Sequence, residues 1–436
     1  MFTRRQALMS TLFGAGCVGL RALATGLPVS LLLDPRRALA DVPAPACAAK
    51  DKAQFIIFAT SGSGDPMNAN APGTYDDPKI AHSLDPLMAA TPITMNGTTS
   101  NAAKPWSTLP QNVLDRAVFW HLMTNTPVHP KEPDVLKLMG QTQAGEMLPS
   151  LLARGLAPCL GTIQAQPISL GATSPAEGLS YEGAALPIIP ALALKATLTS
   201  PVGPLTDLQP LRDKTIAGLY DLYKNGSSPA QKAYIDSMVT SQQQVRNIGQ
   251  NFLAALDTIK DNSVTSQITA ALTLIQMKVT PVIAIHIPFG GDNHRDIGLA
   301  GETTQTISGV AAIANLMAQL QAAGLQDQVT LMTLNVFGRT IGPANTDGRQ
   351  HNLNHQVSLT IGKPFKGGVI GSVAPVGTDY GATAIDSKTG KGGGGDVAAI
   401  DTLPSFGRTM LAAVGIDSST STSRIGAGQV ISAALV

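Results

Sequence analysis

Carboxylate and imidazole side chains recur at the ends of apolar runs in this sequence. Asp65 follows Gly62-Ser63-Gly64, His129 closes Thr124-Asn125-Thr126-Pro127-Val128, Asp292 and His294 follow Gly290-Gly291, and His351 and His355 lie beyond Gly348. Aspartate oxygen and histidine nitrogen together form the mixture that zinc and other divalent ions accept. The pair His351 and His355 has i, i+4 spacing and meets on one face if a helical turn follows Gly348. Asp-x-His brings its first and third side chains to one side when extended. Neither spacing is specific alone. Each residue also has a plainer role open to it: Asp65 as a cap on its glycine turn, Asp292 with His294 as a hydrogen-bonded pair, and His351 with His355 as part of a polar network among asparagines. Arg339 either grips an anionic oxygen bidentately or anchors a carboxylate of the fold. His286 sits inside an apolar run and reads as a core histidine; His82 and His121 have no argued role.

The stretch Val329 to His355 shows how such groups would be positioned. Its first seven residues, VTLMTLN, carry no charge, as expected of a strand covered on both faces. Gly338, Gly342 and Gly348 then let the chain turn, and polar residues crowd the segment from Asp347 to His355. Similar runs at Gln54 to Thr60, Ala117 to Met123 and Thr280 to Ile287 read as further buried strands, with another near Ala157 to Ile163. Helical spacing is expected over Asp134 to Met139, Pro229 to Ile259, Val264 to Met277, Thr303 to Gln321 and Thr402 to Val414. Pro66 to Pro110 reads as a long decorated loop, and an apolar hairpin-like stretch comes after Gly362. Helix and strand alternating with Gly-rich openings imply an α/β fold, a mostly parallel sheet flanked by helices. In such folds ligands bind beyond the carboxyl ends of the strands. The glycines of Lys388 to Asp396 precede no GK[ST] helix start and read as a surface loop, not a phosphate cradle.

Composition narrows the function classes. The chain has 436 residues, 44% hydrophobic and 14% charged, with 30 basic and 29 acidic residues. That balance favours neither nucleic acid nor a membrane surface. Thr3-Arg4-Arg5-Gln6-Ala7-Leu8 and the apolar run after it match a twin-arginine export signal, with Ala38-Leu39-Ala40 as the cleavage pattern. Arg21 interrupts the run short of the roughly 20 residues a membrane span needs. The reading is therefore a signal peptide over 1–40, a single domain over 41–436, export of the folded chain by the twin-arginine machinery to the periplasm or beyond, and no stable membrane span after cleavage. Lipidation at Cys17 is the weaker alternative. The mature chain keeps Cys47 and Cys159, whose pairing spacing alone leaves open.

Six short pieces in one order resemble the exported domain-of-unknown-function 1501 family, of the alkaline phosphatase and sulfatase superfamily. They are Gly62-Ser63-Gly64-Asp65; Gly290-Gly291-Asp292-Asn293-His294; Val336-Phe337-Gly338-Arg339-Thr340; Gly348-Arg349-Gln350-His351; Lys366-Gly367-Gly368-Val369-Ile370-Gly371; and Val414-Gly415-Ile416-Asp417. The resemblance spans nearly all of the mature chain. It implies an alkaline-phosphatase-like fold and a metal-dependent phosphate or sulfate ester hydrolase. A divalent ion (zinc, manganese or calcium) would be held by Asp65, Asp292, His294, His351 and His355, with Arg339 steadying a small anionic ester and His129 at the catalytic position. Three departures weigh against the reaction. Val336 and Gln350 stand where the family has acidic residues, and Val128 stands where a hydroxyl precedes the histidine. With no nucleophile evident, a metal-activated water is the expected attacking group. The rival is a catalytically degenerate exported binding or assembly protein. Convergence of Asp65, Asp292, His294 and His351 to within about 5 Å of one point separates the two.

Overall fold

The computed structural model describes residues 47, 50–61, 63–64, 67–171, 178–199, 209–228, 232, 236, 250–289 and 291–436. The export signal over 1–40, Asp65 and most of the helix expected over Pro229 to Ile259 lie outside these residues; of that helix, Gln250–Thr258 is described.

Seven strands form the central sheet: β1 (Phe55–Ser61), β2 (Ala117–Leu122), β3 (Ile168–Ser169), β4 (Val282–Ile285), β5 (Val329–Asn335), β6 (Gln356–Ile361) and β7 (Gly368–Ile370). Their spatial order is β7-β2-β6-β5-β1-β4-β3. β1 runs parallel to β4 and β5, and β3 to β4, while β6 is antiparallel to both β5 and β2. Six strands therefore share one direction and β6 alone is reversed. Every residue of β1, β2, β5 and β6 is buried, which is why these runs lack the polar alternation of a half-exposed sheet.

Alternate side chains feed two cores. Phe55, Ile57, Val329 and Leu331 pack on one face with α3 (Val264–Gln276) and α4 (Ala300–Ala322). Ile56, Phe58, Met332 and Leu334 pack on the other with α2 (Leu148–Leu160) and α5 (Thr402–Ala413); α1 (Met67–Asn70) is a single buried turn after β1. Helix α3 starts where the Ser263 hydroxyl accepts from the amide of Ser266, and α2 ends at Gly161 in the left-handed region.

Two expectations need correction. Ala157 to Ile163 is no strand: Ala157 to Leu160 is the last turn of α2, which continues through Gly155 and Pro158, and the edge strand follows at Ile168. Pro66 to Pro110 is not irregular throughout. Ala90–Met95 and Thr98–Ala103 form a hairpin whose turn, Asn96-Gly97, has positive φ at both residues, the conformation that favours Asn-Gly between paired strands. Among the described residues no helix is long and apolar enough to cross a membrane.

Cys47 and Cys159 are joined by a disulfide across 112 residues, settling the pairing that spacing left open. It fastens the segment before β1 to the last turn of α2. Cys159→Ser should lower the stability of the oxidised protein by about 2–5 kcal/mol. Urea unfolding with and without reductant checks this: the wild type should fall towards the variant when reduced, and the variant should not respond.

Candidate functional site

Because β1, β2, β4 and β5 point the same way, the loops leaving them emerge over one edge, and the reversed β6 begins there. From β5 the chain passes through buried Val336 and Phe337 into a two-residue strand, Gly338–Arg339, which pairs antiparallel with His351–Asn352 so that Arg339 lies opposite His351. A side chain at position 338 could not be accommodated: its Cβ would fall 1.8 Å from the His355 carbonyl oxygen.

A buried ion pair fixes the two segments that carry the histidines. Arg349 donates from Nε to Glu302 Oε2 at 2.5 Å and from Nη2 to Oε1 at 3.0 Å, and both side chains are fully excluded from solvent. Asn293 donates to Glu302 Oε2 at 3.2 Å, and its carbonyl accepts from the Arg349 amide at 2.9 Å. Asn293 lies between Asp292 and His294, while Arg349 stands two residues before His351. Gly348, at φ 129°, allows the approach, since a Cβ there would meet the His294 carbonyl oxygen at 2.4 Å.

The result is a cluster of His129, Asp292, His294 and His351, one ligand atom from each lying within 4.8 Å of all the others. Three residues named from the sequence as metal ligands are thus brought together, and His129 joins them. His294 Nε2 lies 3.0 Å from Asp292 Oδ1 and 3.0 Å from His351 Nε2. The Nδ1 atoms face outward: His294 donates to the Gln350 side-chain oxygen at 2.8 Å, and His351 to the carbonyl oxygen of Pro127. With those protons on Nδ1, both Nε2 atoms turn lone pairs inward towards a carboxylate oxygen. Three electron-rich atoms in that arrangement repel unless a cation lies among them, either a metal ion or a second proton on His294. Inward Nε2 with Nδ1–H bound to an oxygen is also how metal-ligating histidines are oriented, so the residues fit a divalent ion.

The surroundings of His351 disfavour its charged form. Burial pushes its pKa down, and Arg339, His129 and His294 add to this, opposed by the Pro127 carbonyl. Phe337 stacks on the His351 ring at 4.1 Å between centroids, and His129 meets both rings nearly edge-on. Arg339 is fully buried; its Nη2 donates to the carbonyls of Ser63 and Gly291, and its Nη1 lies 3.4 Å from Asp292 Oδ1. It therefore clasps the exits of β1 and β4 and places positive charge beside the one carboxylate of the cluster. Thr124 and Thr126, in the loop that leads to His129, are buried, so neither hydroxyl is presented to solvent.

His355 is placed differently. It is fully buried, with Nδ1 accepting from the Asn68 amide at 3.3 Å and Nε2 donating to His121 Nδ1 at 2.9 Å; His121 Nε2 in turn donates to the Pro72 carbonyl at 3.0 Å. Both nitrogens of both rings are thereby engaged, and His355 does not reach the cluster. The i, i+4 expectation fails because residues 351 and 352 are strand and β6 starts at Gln356, so no helical turn brings positions 351 and 355 to one face. Sequence patterns alone assign no role to His121 and do not single out Asn68 or Glu302. A capping-like acid just after Gly301 is the one signal for Glu302.

No family model matches this chain. No curated protein matches it either. Among solved structures it is similar, over 93% of its length and 82% of the other chain, to the lipoteichoic acid synthase LtaP from Listeria monocytogenes, at 7% identity and a TM-score of 0.36. A likeness that weak carries no inference about activity.

Replacing Glu302 with Leu strands a buried guanidinium and should cost about 3–5 kcal/mol. The double variant Glu302→Leu, Arg349→Met should recover part of that in urea unfolding, and equal losses in the two would contradict the coupling. Acid should also destabilise the fold. Burial lowers the pKa of His121 to about 4 and that of His355 well below its ordinary value, whereas both take up protons near 6.5 when unfolded. The unfolded state then binds more protons between pH 6.5 and about 4, so stability should drop as pH falls through that window. Unfolding midpoints at pH 7 and pH 5 that coincide would refute this.

Proposed function

We propose that this chain is an exported metal-dependent hydrolase of phosphate or sulfate esters, built on an alkaline-phosphatase-like sheet as its resemblance to the domain-of-unknown-function 1501 family implies. The observation that carries the reading is the convergence of three imidazoles and a carboxylate within 4.8 Å, above the carboxyl edge of a mostly parallel sheet. His129, Asp292, His294 and His351 would hold the ion. When bound, a divalent ion supplies Lewis-acid neutralisation of charge on an ester oxygen. The protein's own residues do the rest. Gln350 and Pro127 orient the two rings, and the Glu302–Arg349 pair holds their segments together. Arg339 adds positive charge beside Asp292 from a solvent-excluded position, where electrostatic effects are strongest. Asp65, which the same resemblance assigns to the metal, remains part of the proposal from sequence alone.

Export rests on the twin-arginine sequence within 1–40, and the Cys47–Cys159 disulfide agrees with an oxidising compartment such as the periplasm or the exterior. The export machinery is then a transient partner, and a small anionic ester the ligand.

A second reading, a binding or assembly protein that has lost the reaction, is favoured by one specific observation. Val128 stands beside His129, and the nearest hydroxyls in its loop, Thr124 and Thr126, are buried. No group from that loop is presented as a nucleophile.

Elemental analysis of protein purified without chelator, followed by turnover of phosphate and sulfate esters with and without added zinc or manganese, decides between them. The hydrolase should retain bound metal, and His351→Ala should lose both metal and turnover while staying folded. Bound metal without turnover selects the second reading, and a stably folded chain with neither sinks the first.

A further inference from the structure

The donor set and its outer partners speak to which ion the cluster takes. Three of its four groups are imidazoles and one is a carboxylate. Nitrogen donors suit zinc and the other late first-row ions, whereas calcium gathers six to eight oxygens, and magnesium and manganese favour carboxylate, carbonyl and water. The outer acceptors are neutral as well. His294 Nδ1 donates to the Gln350 amide oxygen at 2.8 Å, and His351 Nδ1 donates to a backbone carbonyl, that of Pro127.

Gln350 is exposed, yet its backbone is fastened from both sides. Its carbonyl accepts from the Thr340 amide at 2.9 Å, and its own amide donates to Thr340 Oγ1 at 2.8 Å, in a hydroxyl network that continues to Asn345. The side chain therefore starts from a fixed point opposite His294. An acceptor there sets which ring nitrogen carries the proton. Because that acceptor is an amide and not a carboxylate, it does so without adding negative charge.

Resting on the metal-site reading above, we infer that the cluster is a nitrogen-preferring site for a zinc-class ion, and that Gln350 is the positioning residue that turns His294 Nε2 inward. The positions that depart from the family pattern then acquire a consequence. Val336 is buried and apolar and Gln350 is neutral with its amide oxygen turned to His294 Nδ1, so neither supplies a carboxylate to calcium or manganese.

The test is titration of the chelator-stripped full chain with zinc, cobalt, manganese and calcium ions, by calorimetry and by the visible absorption of bound cobalt. Zinc should bind at least about 100-fold more tightly than calcium or manganese, as imidazole-rich sites do. Gln350→Leu should weaken zinc by about 10–100-fold and alter the cobalt bands with an unchanged urea midpoint, and Gln350→Glu should restore affinity. Calcium or manganese binding as tightly as zinc overturns the inference and leaves the metal site standing. So does a Gln350→Leu variant that binds zinc like the wild type. If no ion binds to the wild type, the metal-site reading itself falls and this inference falls with it, which sets that failure apart from the other two.

Discussion

The site depends on the Glu302–Arg349 pair. Two opposite charges removed from water lose hydration worth several kcal/mol each, and only close geometry with further hydrogen bonds offsets the loss. Here the offsets are present. Arg349 also donates to the carbonyls of Thr340 and Ala81, and Glu302 also accepts from Asn70 and Asn293. Every one of those partners belongs to a different segment: the turn after β1, the loop near residue 81, the exit of β4, and the hairpin beyond β5. An isolated apolar contact tolerates sliding, but this set of directional bonds admits one arrangement. The positions of Asp292, His294 and His351 are set by it, since each is at most two residues from a member of the network.

A second determinant is the sheet. Parallel strands collect their carboxyl ends on one edge, so β1, β2, β4 and β5 all deliver loops to the same place. The reversed β6 delivers its beginning there instead. That reversal puts His355 just before β6, beside β2, where His121 lies within the pleat and is wholly buried. The exit loops of the forward strands carry the solvent-facing cluster, and the reversed strand carries a residue that knits the layer beneath it.

This division explains what could be read from the sequence. Apolar runs that open into loops rich in glycine or in Thr, Asn and Pro announce β1, β2, β4 and β5, because strands covered on both faces have no polar alternation to obscure. Helix α2 is obscured by Gly155 and Pro158, which local propensity treats as breakers and which packing against the sheet overrides. The Asn96-Gly97 turn is legible in itself but is masked by the prolines and threonines around it. At the site, Asp292, His294 and His351 can be named because each follows a glycine-containing turn beyond an apolar run. His129 takes a catalytic place through the resemblance, and only the pairing in space shows it beside His351. Glu302 sits on α4 and Arg349 in the loop before His351, and no local pattern predicts a pairing that the fold alone creates.

The two histidine pairs make the final distinction. His121 and His355 are stacked and parallel within 9°, and a single direction of donation runs from Asn68 through His355 and His121 to the Pro72 carbonyl. Each lone pair in that chain meets a hydrogen, so the pair is complete when neutral and has nothing to offer an ion. His294 and His351 are also neighbours, at 3.0 Å between Nε2 atoms, but their outward nitrogens are the ones that donate. Their inward lone pairs face each other and Asp292 with no hydrogen between them if both rings are neutral. Residue type is identical in the two pairs, and although His121 and His355 are fully buried and His294 and His351 only half-buried, burial does not by itself say which ring nitrogen carries the proton. What separates them is the chemistry of the atom behind each ring: an amide hydrogen behind His355 closes one pair, and carbonyl oxygens behind His294 and His351 leave the other incomplete without a cation.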